Sequence, residues 1–560
     1  MSPHRISGGL VLAAPPRVSA AGAIRACPLP SRLYLSLIEG NGRALHCRVV
    51  PGQRVRRGEA LAHASDALGT ILPAPISGCI VAIEDRTIAH ASGLSAPTLV
   101  LDADGADGAD EAATLTPLPG WTGETALTLR RRLAEAGIVG LGGAGYETAE
   151  KLARRVDTLI LNGAECEPYI GCDEALLRER AADVVMGSAV LAQIAGAANV
   201  ILALEDRMHD AAAAVRAELH RFPALRVALV PTVYPQGGER QLIEVLCGCE
   251  VPSGDWPVAI GVVVQNVATA AAAWRAVAHG EALTTRIVSL AGRGIVAPGV
   301  FDVRIGTTIE ALVAAGGGYT PDAARLVLGG PLMGLSLPHD QIALTRTSNA
   351  ILVLAEDEVR RSAPEVPCIR CGDCADACPV RLQPQELLRL LRNGDEAGAG
   401  ALGLADCIEC GCCAYVCPSQ IPLVDWYRSG KTALATVAAE RRRADHARER
   451  FLERNQRLAR EQADKVARVA ARRDALVQEQ AAIAGTQDVG AAAPAAVADG
   501  ATAEVTIADT PAASAPPMDK SAVLAAIARG KAKRAGRENA PLAGIPAADS
   551  SDPPPRKDEP

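Results

Sequence analysis

Apolar positions in the first part of the chain come as short runs broken by turns. Pro51-Gly-Gln-Arg-Val-Arg-Arg-Gly-Glu-Ala-Leu61 is followed by Ala74-Pro-Ile-Ser-Gly-Cys-Ile-Val-Ala-Ile83. That spacing predicts a small all-β unit over 22–115. From 116 to 283 the pattern changes to alternating helical and strand periods: a helix at Leu127-Thr-Leu-Arg-Arg-Arg-Leu-Ala-Glu-Ala-Gly137, a strand at Asp157-Thr-Leu-Ile-Leu-Asn162, a helix and strand within 184–204, an Ala-rich helix to Leu219, a strand at Arg226-Val-Ala-Leu-Val-Pro231, and a Val-rich strand running into an Ala-rich helix over 258–275. Such alternation predicts an α/β domain with a largely parallel sheet. Thr285-Arg-Ile-Val-Ser-Leu-Ala-Gly292 and Gly299-Val-Phe-Asp-Val-Arg-Ile-Gly-Thr-Thr-Ile-Glu-Ala-Leu-Val-Ala-Ala-Gly-Gly317 alternate strands with one amphipathic helix in a further module over 284–335, followed by a connector at 336–365. A cysteine-rich domain at 366–430 leads into one long charged helix at 431–483, with 12 Lys/Arg against 8 Asp/Glu between 440 and 480. An Ala/Pro tract opens the last segment, 484–560, which is expected to be disordered apart from a short basic helix at 518–534. An N-terminal segment, 1–21, precedes the β unit.

The chain of 560 residues and net charge −7 is long enough for several domains, and its mild acidity argues against a nucleic-acid binder. The uncharged runs 184–204 and 257–274 have the length of membrane spans. Both carry internal polar residues and glycines, and both split into a helix and a strand, so any membrane association is expected to be peripheral. The start of the chain has no basic region leading into an apolar one, so it does not read as a secretory signal.

Half of the 16 cysteines fall into two copies of one pattern, 39 residues apart: Cys368-x-x-Cys371-x-x-Cys374-x-x-x-Cys378-Pro379 and Cys407-x-x-Cys410-x-x-Cys413-x-x-x-Cys417-Pro418. Zinc sites pair their cysteines and close within one unit. A three-plus-one pattern repeated twice, each copy ending in Cys-Pro, fits two [4Fe-4S] clusters of the bacterial ferredoxin type, in which the fourth cysteine serves the other cluster. Cluster 1 is expected to take Cys368, Cys371, Cys374 and Cys417, and cluster 2 Cys407, Cys410, Cys413 and Cys378. Cys412 is left over. The remaining seven cysteines are scattered without ligand spacing and read mostly as small core residues. Thiolate-bound clusters imply a reducing compartment, the cytoplasm.

Gly140-Leu-Gly142-Gly143-Ala-Gly145 matches the dinucleotide fingerprint, with Glu165 about 20 residues on. The fingerprint requires a buried strand before the glycines, and here a charged helix precedes them. A dinucleotide turn and a plain glycine turn both remain open. A third reading is a loop that lets backbone amides approach a phosphate or a flavin, opening a helix at Thr148.

The 22–115 unit resembles the barrel-sandwich hybrid of lipoyl and biotinyl domains. It lacks the lysine that would carry a prosthetic arm, since Ile76-Ser77-Gly78 stands there, and so it reads as a structural or docking module. The 284–335 module resembles a β-grasp domain of the SLBB kind. Gly137-Ile-Val-Gly-Leu-Gly-Gly-Ala-Gly-Tyr146, Leu161-Asn-Gly-Ala-Glu-Cys-Glu-Pro-Tyr-Ile170, Tyr234-Pro-Gln-Gly-Gly-Glu239, Val264-Gln-Asn-Val-Ala-Thr269, Gly329-Gly-Pro-Leu-Met-Gly334 and the twin cysteine motifs together resemble the RnfC family, a component of the Rnf-type ion-translocating electron-transport complex. The likeness runs from about Gly8 to Arg537. The middle domain of that family is similar to the NADH-oxidising flavoprotein of respiratory complex I.

The resemblance implies a multidomain α/β protein and a translocase-type oxidoreductase component. It would exchange a hydride with NAD(H) at FMN, relay electrons through the two clusters, and sit peripherally on the cytoplasmic face of the inner membrane beside the other subunits. It places Gly140, Gly142, Gly143, Gly145 and Lys151 at the flavin loop. Asn162 and Glu165 match flavin contacts; Tyr234, Gly237 and Glu239 form a second flavin-facing turn; Asn266 and Thr269 form a third. Tyr146 would stack on the nucleotide and Glu167 would bind it. Departures are Ala164 and Gly238 in place of acidic residues of the complex I pattern, and Glu147 where the family has proline, which bears on the rigidity of the nucleotide's approach. Gly8-Gly9 also lacks the His-Pro-Pro that usually follows. Two other classes remain beside this one: a soluble flavin/iron–sulfur NADH dehydrogenase, and a ferredoxin-like adaptor without flavin.

Overall fold

The computed structural model describes residues 6–12, 22–39, 42–90, 92–105, 115–359 and 364–485. The chain divides into two units, 1–455 and 456–560. The described part of the second is helical and exposed. The basic helix expected at 518–534 and almost all of the tail expected to be disordered lie outside the described residues.

The β unit is a sandwich of a four-stranded sheet (Arg32–Ser36, Ser95–Ala103, Gly78–Thr87, Arg54–Val55) and a three-stranded one (His46–Cys47, Ala60–His63, Ile71–Pro73). The inward residues Leu33, Leu35, Leu61, Ile80, Leu99 and Leu101 fill the space between them. Ile76 and Ser77 are buried, and Ser77 Oγ accepts a hydrogen bond from the Arg57 amide. The turn that carries a prosthetic arm in lipoyl-type domains is therefore folded inward.

The α/β domain holds a four-stranded parallel sheet in the order Leu225–Val230, Asn199–Glu205, Thr158–Gly163, Val262–Asn266. The chain builds three strands in one direction and returns to add the fourth on the other side of the first. The two strands flanking that reversal are Thr158–Gly163 and Val262–Asn266, so the topological switch point, where open α/β sheets bind ligands, lies at their C-terminal ends. The uncharged runs resolve as helix Ala181–Ala195 with strand Asn199–Glu205, and strand Val262–Asn266 with helix Val267–Ala278. The two helices pack so closely that a Cβ on Gly187 would lie 1.8 Å from the Ala270 carbonyl oxygen. Among the described residues, no helix is long and apolar enough to cross a membrane.

The third module forms a mixed six-stranded sheet. The segment expected to be a connector, 336–365, contributes one of its central strands. Ala350–Ala355 pairs parallel with Thr285–Ala291 and antiparallel with Ala323–Leu328, and all of its residues except Leu354 are buried. The edge strand Arg25–Ala26, from the start of the β unit, pairs parallel with Gly299–Arg304 and ties the two modules together. The charged helix begins earlier than the charge pattern indicates, at Leu423, and runs to Gly485. Its first turns are apolar because Leu423 and Tyr427 are core residues of the cysteine domain.

Candidate functional site

Two halves of the cysteine domain repeat each other. Arg370, Gly372 and Arg381 have φ of 58°, 93° and 55°, and their counterparts in the second half, Glu409, Gly411 and Gln420, have 57°, 79° and 52°. Each half then forms one short helix, Asp373–Asp376 and Cys412–Tyr415. The halves wrap two small, largely apolar cavities. One is lined by Cys368, Cys371, Cys374 and Cys417. The other is lined by Cys378, Cys407, Cys410 and Cys413. The fourth cysteine of each motif thus crosses to the opposite cavity, while Cys412 lines neither. Four soft thiols around one apolar hollow is a donor set suited to an iron–sulfur cubane.

The cavities differ in depth. Cys378, Cys410 and Cys413 are buried, whereas Cys368 and Cys371 are exposed. Lys431, on the long helix, donates to the Cys407 carbonyl and, at 2.8 Å, to Glu409 Oε1, and Leu434 packs onto the same core. Removing residues 441–560 should therefore leave iron content unchanged. Removing 431–560 strips Lys431 and Leu434 and should lower it, chiefly through the cluster 2 set; iron analysis of the two truncated chains checks this. Of the cysteines outside the two sets, only Cys172 and Cys412 are buried, and Cys47 and Cys249 are exposed. The expectation that most are core residues is corrected: the other four, Cys27, Cys79, Cys166 and Cys247, are half-buried.

At the switch point of the parallel sheet, Asn162 and Asn266 are register partners at the ends of adjacent strands. Asn162 Nδ2 donates to the Gly237 carbonyl at 2.8 Å, and its Oδ1 accepts from the Ala164 amide. Asn266 Nδ2 donates to Asp173 at 2.6 Å, while its Oδ1 caps the following helix at Ala268. The glycine loop hangs over this pair. It is closed by Gly140 N to Tyr146 O at 2.7 Å and Gly145 N to Gly140 O at 3.2 Å, and anchored by the Leu141 amide on Thr269 Oγ1 at 2.9 Å. Gly142 lies directly against Asn266, where an added Cβ would meet the Asn266 side chain at 3.3 Å. Gly143, at φ 107°, faces open space. The amides of Gly142 and Gly143 make no hydrogen bond to any described residue, leaving donors available to an anionic or carbonyl-bearing ligand. Lys151 Nζ donates at 2.7 Å to Glu239 Oε1 and at 2.7 Å to the Val264 carbonyl, toward the C-terminal end of the same sheet. Gly237 must be glycine here, since a Cβ would stand 2.3 Å from the Ala164 oxygen.

Four residues of the expected set have engagements that sequence alone does not reveal. Glu165 is buried and accepts from the Asp173 and Glu174 amides at 2.9 and 3.0 Å, capping the helix Cys172–Glu179. Glu167 accepts from the Leu332 and Met333 amides at 3.2 and 2.8 Å, and burial pushes its carboxyl up to about 7. It ties the α/β domain to Gly329-Gly-Pro-Leu-Met-Gly334, a loop whose Leu332 carbonyl reaches the cluster 2 turn at Gly411. Tyr234 is 2% exposed, and its hydroxyl donates to the Cys410 carbonyl at 2.6 Å. Tyr146 is 43% exposed, with its ring 6.0 Å from that of exposed Trp256. Trp256 is outside the expected set; a lone tryptophan between Asp255 and Pro257 carries no motif. Glu147, the departure from proline, is fully buried and paired with Arg43 of the β sandwich, and burial raises its carboxyl pKa.

Comparison with known proteins follows the same division. The family model for the Nuo51 FMN-binding domain matches residues 133–275, that for the RnfC barrel sandwich hybrid domain 4–106, that for the SLBB domain 287–336, and that for the 4Fe-4S dicluster domain 367–421. The C component of the ion-translocating oxidoreductase complex of Yersinia pestis is 39% identical over 520 residues, covering 92% of this chain and 82% of that protein. The chain belongs to this RnfC family. The Erwinia tasmaniensis member is 41% identical over 92% of the chain and 67% of its own length. The Pseudomonas aeruginosa member is 42% identical over 82% of the chain, and the chain spans only 59% of that relative's length. Among solved structures, a chain of the NAD+-reducing [NiFe]-hydrogenase is 21% identical, covering 53% of this chain and 61% of that one, at a TM-score of 0.39. That overlap is too loose to align site residues. As an RnfC protein, the chain combines an FMN-binding domain with a dicluster domain, and its cofactors are FMN and two [4Fe-4S] clusters.

Proposed function

We propose that this chain exchanges a hydride with NAD(H) at an FMN held over the switch point by Gly142, Gly143, Lys151, Asn162 and Asn266. Single electrons then pass between that site and partner subunits of an ion-translocating membrane complex. Flavin, when bound, supplies the step between a two-electron hydride donor and one-electron acceptors. The loop amides and the Lys151 ammonium hold negative charge there, and exposed Tyr146 and Trp256 offer aromatic faces to a nucleotide.

One observation carries the reading. The turn 234–239 serves both sites: its Gly237 carbonyl accepts from Asn162 at the switch point, and its Tyr234 hydroxyl donates to the Cys410 carbonyl in the cluster 2 set. The flavin candidates and cluster 2 thus share one turn of chain, while the exposed Cys368 and Cys371 of cluster 1 face outward. In this reading electrons run between flavin and cluster 2, then cluster 1, then the partner. Tyr234→Phe should leave flavin and iron content unchanged, since losing one buried hydroxyl costs only about 1 kcal/mol. It should shift the reduction potential of cluster 2, because the hydroxyl dipole held against the Cys410 carbonyl beside the site is removed. Redox-poised EPR measures this.

Docking is proposed to the cytoplasmic face of the inner membrane, without a span. On the long helix, the excess of arginine beyond 440 favours an anionic lipid or acidic partner surface at low salt, a gain that screening reduces. The decisive experiment is an anaerobic NADH titration of the purified chain. Bleaching of flavin absorbance is expected, complete by about two NADH per chain because FMN takes two electrons and each cluster one; flavin that NADH leaves oxidised would overturn the NAD(H) assignment.

A further inference from the structure

The described N-terminal segment, 6–12, carries neither a flavin candidate nor a cluster cysteine, yet it runs between the two sites. Ile6 is buried with Ala164, Val233 and Leu242 of the α/β domain, and its amide donates to Gln236 Oε1 at 3.4 Å, within the turn 234–239. Leu10 exchanges backbone hydrogen bonds with Tyr234 of that turn: the Leu10 amide donates to the Tyr234 carbonyl at 2.7 Å, and the Tyr234 amide to the Leu10 carbonyl at 2.9 Å. Between these anchors, Gly9 N donates to the Ala377 carbonyl at 3.1 Å, one residue before Cys378. One short segment thus ties the turn shared by both sites to the first cysteine motif.

The closeness of this passage explains the paired glycines. Gly8 and Gly9 have φ of 60° and 75°, a region that favours glycine. An added Cβ would stand 2.8 Å from the Cys378 carbonyl oxygen at Gly8, and 2.7 Å from the Tyr234 carbonyl oxygen at Gly9. Beyond them, the Leu10 side chain packs with Tyr234, Ala377, Cys410 and Cys412, and Leu12 packs against the same group. Cys378 and Cys410 are buried beneath this cover, whereas Cys368 and Cys371 of the other set are exposed. Val11 points away and is exposed.

We infer that residues 6–12 are a positioning segment for cluster 2. They hold the turn 234–239 against Cys378 and Cys410 and keep water from that side of the set, and so help to fix the potential at which this site accepts an electron. A reduced cubane carries one more negative charge than an oxidised one, so water admitted beside it stabilises the reduced form more. Loosening the segment therefore raises the potential of cluster 2. The inference rests on the crossed cluster assignment and not on the NAD(H) reading, because a chemical reductant serves equally well.

The test is a mediated redox titration followed by EPR on the full chain, purified anaerobically with its flavin and clusters. The parent is compared with Gly8→Val, which forces the segment off Cys378, with Leu10→Ala, which opens its apolar cover, and with Val11→Gln as a control on the exposed side. In Gly8→Val and Leu10→Ala the buried-set signal is expected at a higher potential than in the parent, with the open-set signal unmoved and iron and flavin contents unchanged. Val11→Gln should match the parent throughout. The two disturbing variants act at different points, so either decides the question if the other fails to fold. A buried-set potential that is unshifted or lowered in a variant with full iron would overturn the proposal. Loss of the buried-set iron from both variants would also overturn it, by making the segment a requirement for assembly alone. Failure of the cluster assignment would show separately, in the iron contents and surviving signals of Cys417→Ser and Cys378→Ser.

Discussion

Cys417→Ser should abolish the cluster formed by the first motif, and Cys378→Ser the cluster formed by the second. Each substitution thus damages the cluster it is distant from in sequence. The expectation follows from the crossed lining of the two cavities, where Cys417 joins Cys368, Cys371 and Cys374, and Cys378 joins Cys407, Cys410 and Cys413. Losing one thiolate of four removes a covalent ligand, so the iron content should fall by about half in each variant. The two losses should be told apart by environment. The buried second set faces Tyr234 and Tyr427, whereas the first is open to solvent at Cys368 and Cys371, so the surviving EPR signals of the two variants should differ. Cys412→Ser should keep both clusters, as Cys412 lines neither cavity. Survival of the open-set signal in the Cys417 variant and of the buried-set signal in the Cys378 variant would show that the ligands do not cross.

Lys151→Met should weaken FMN retention by roughly tenfold to a hundredfold while iron stays near the parent level. Methionine keeps the apolar stem and removes only the charge. A charge-assisted hydrogen bond is worth about 1.5–3 kcal/mol, and each 1.4 kcal/mol is about a tenfold change in affinity. The ammonium is held at the strand end by Glu239 and the Val264 carbonyl, so its position is set before any ligand arrives. The clusters have a separate core built on Leu387, Leu391, Leu404 and Tyr427, which the substitution does not touch. Ultrafiltration of the purified variant followed by flavin and iron analysis separates the two effects; flavin retained as in the parent would remove Lys151 from the site.

How much of this was legible depended on the range of the interaction. The cysteine spacing encodes both cavities because a cubane's geometry is local to a few residues, repeated twice. The alternation of periods 2 and 3.6 placed every strand of the parallel sheet, and three of them are runs of buried apolar residues in their own right. The strand Ala350–Ala355 was apolar enough to be seen but lay beyond the apparent end of its module, and nothing local says that a later segment inserts within an earlier sheet. The start of the long helix was misplaced because its first turns bury an apolar face while charge was the visible signal. Site residues were found by motif, but their engagements were not. Tyr234 meets Cys410 across 176 residues of sequence, and Glu167 meets Met333 across 166. Such contacts arise from domain packing, which leaves no periodic trace.

The central claim stands most directly on one assay, in which iron, acid-labile sulfide and flavin are determined on a single anaerobically purified sample. About eight iron, about eight sulfide and one FMN per chain are predicted. About four iron per chain, or full iron without flavin, would contradict it.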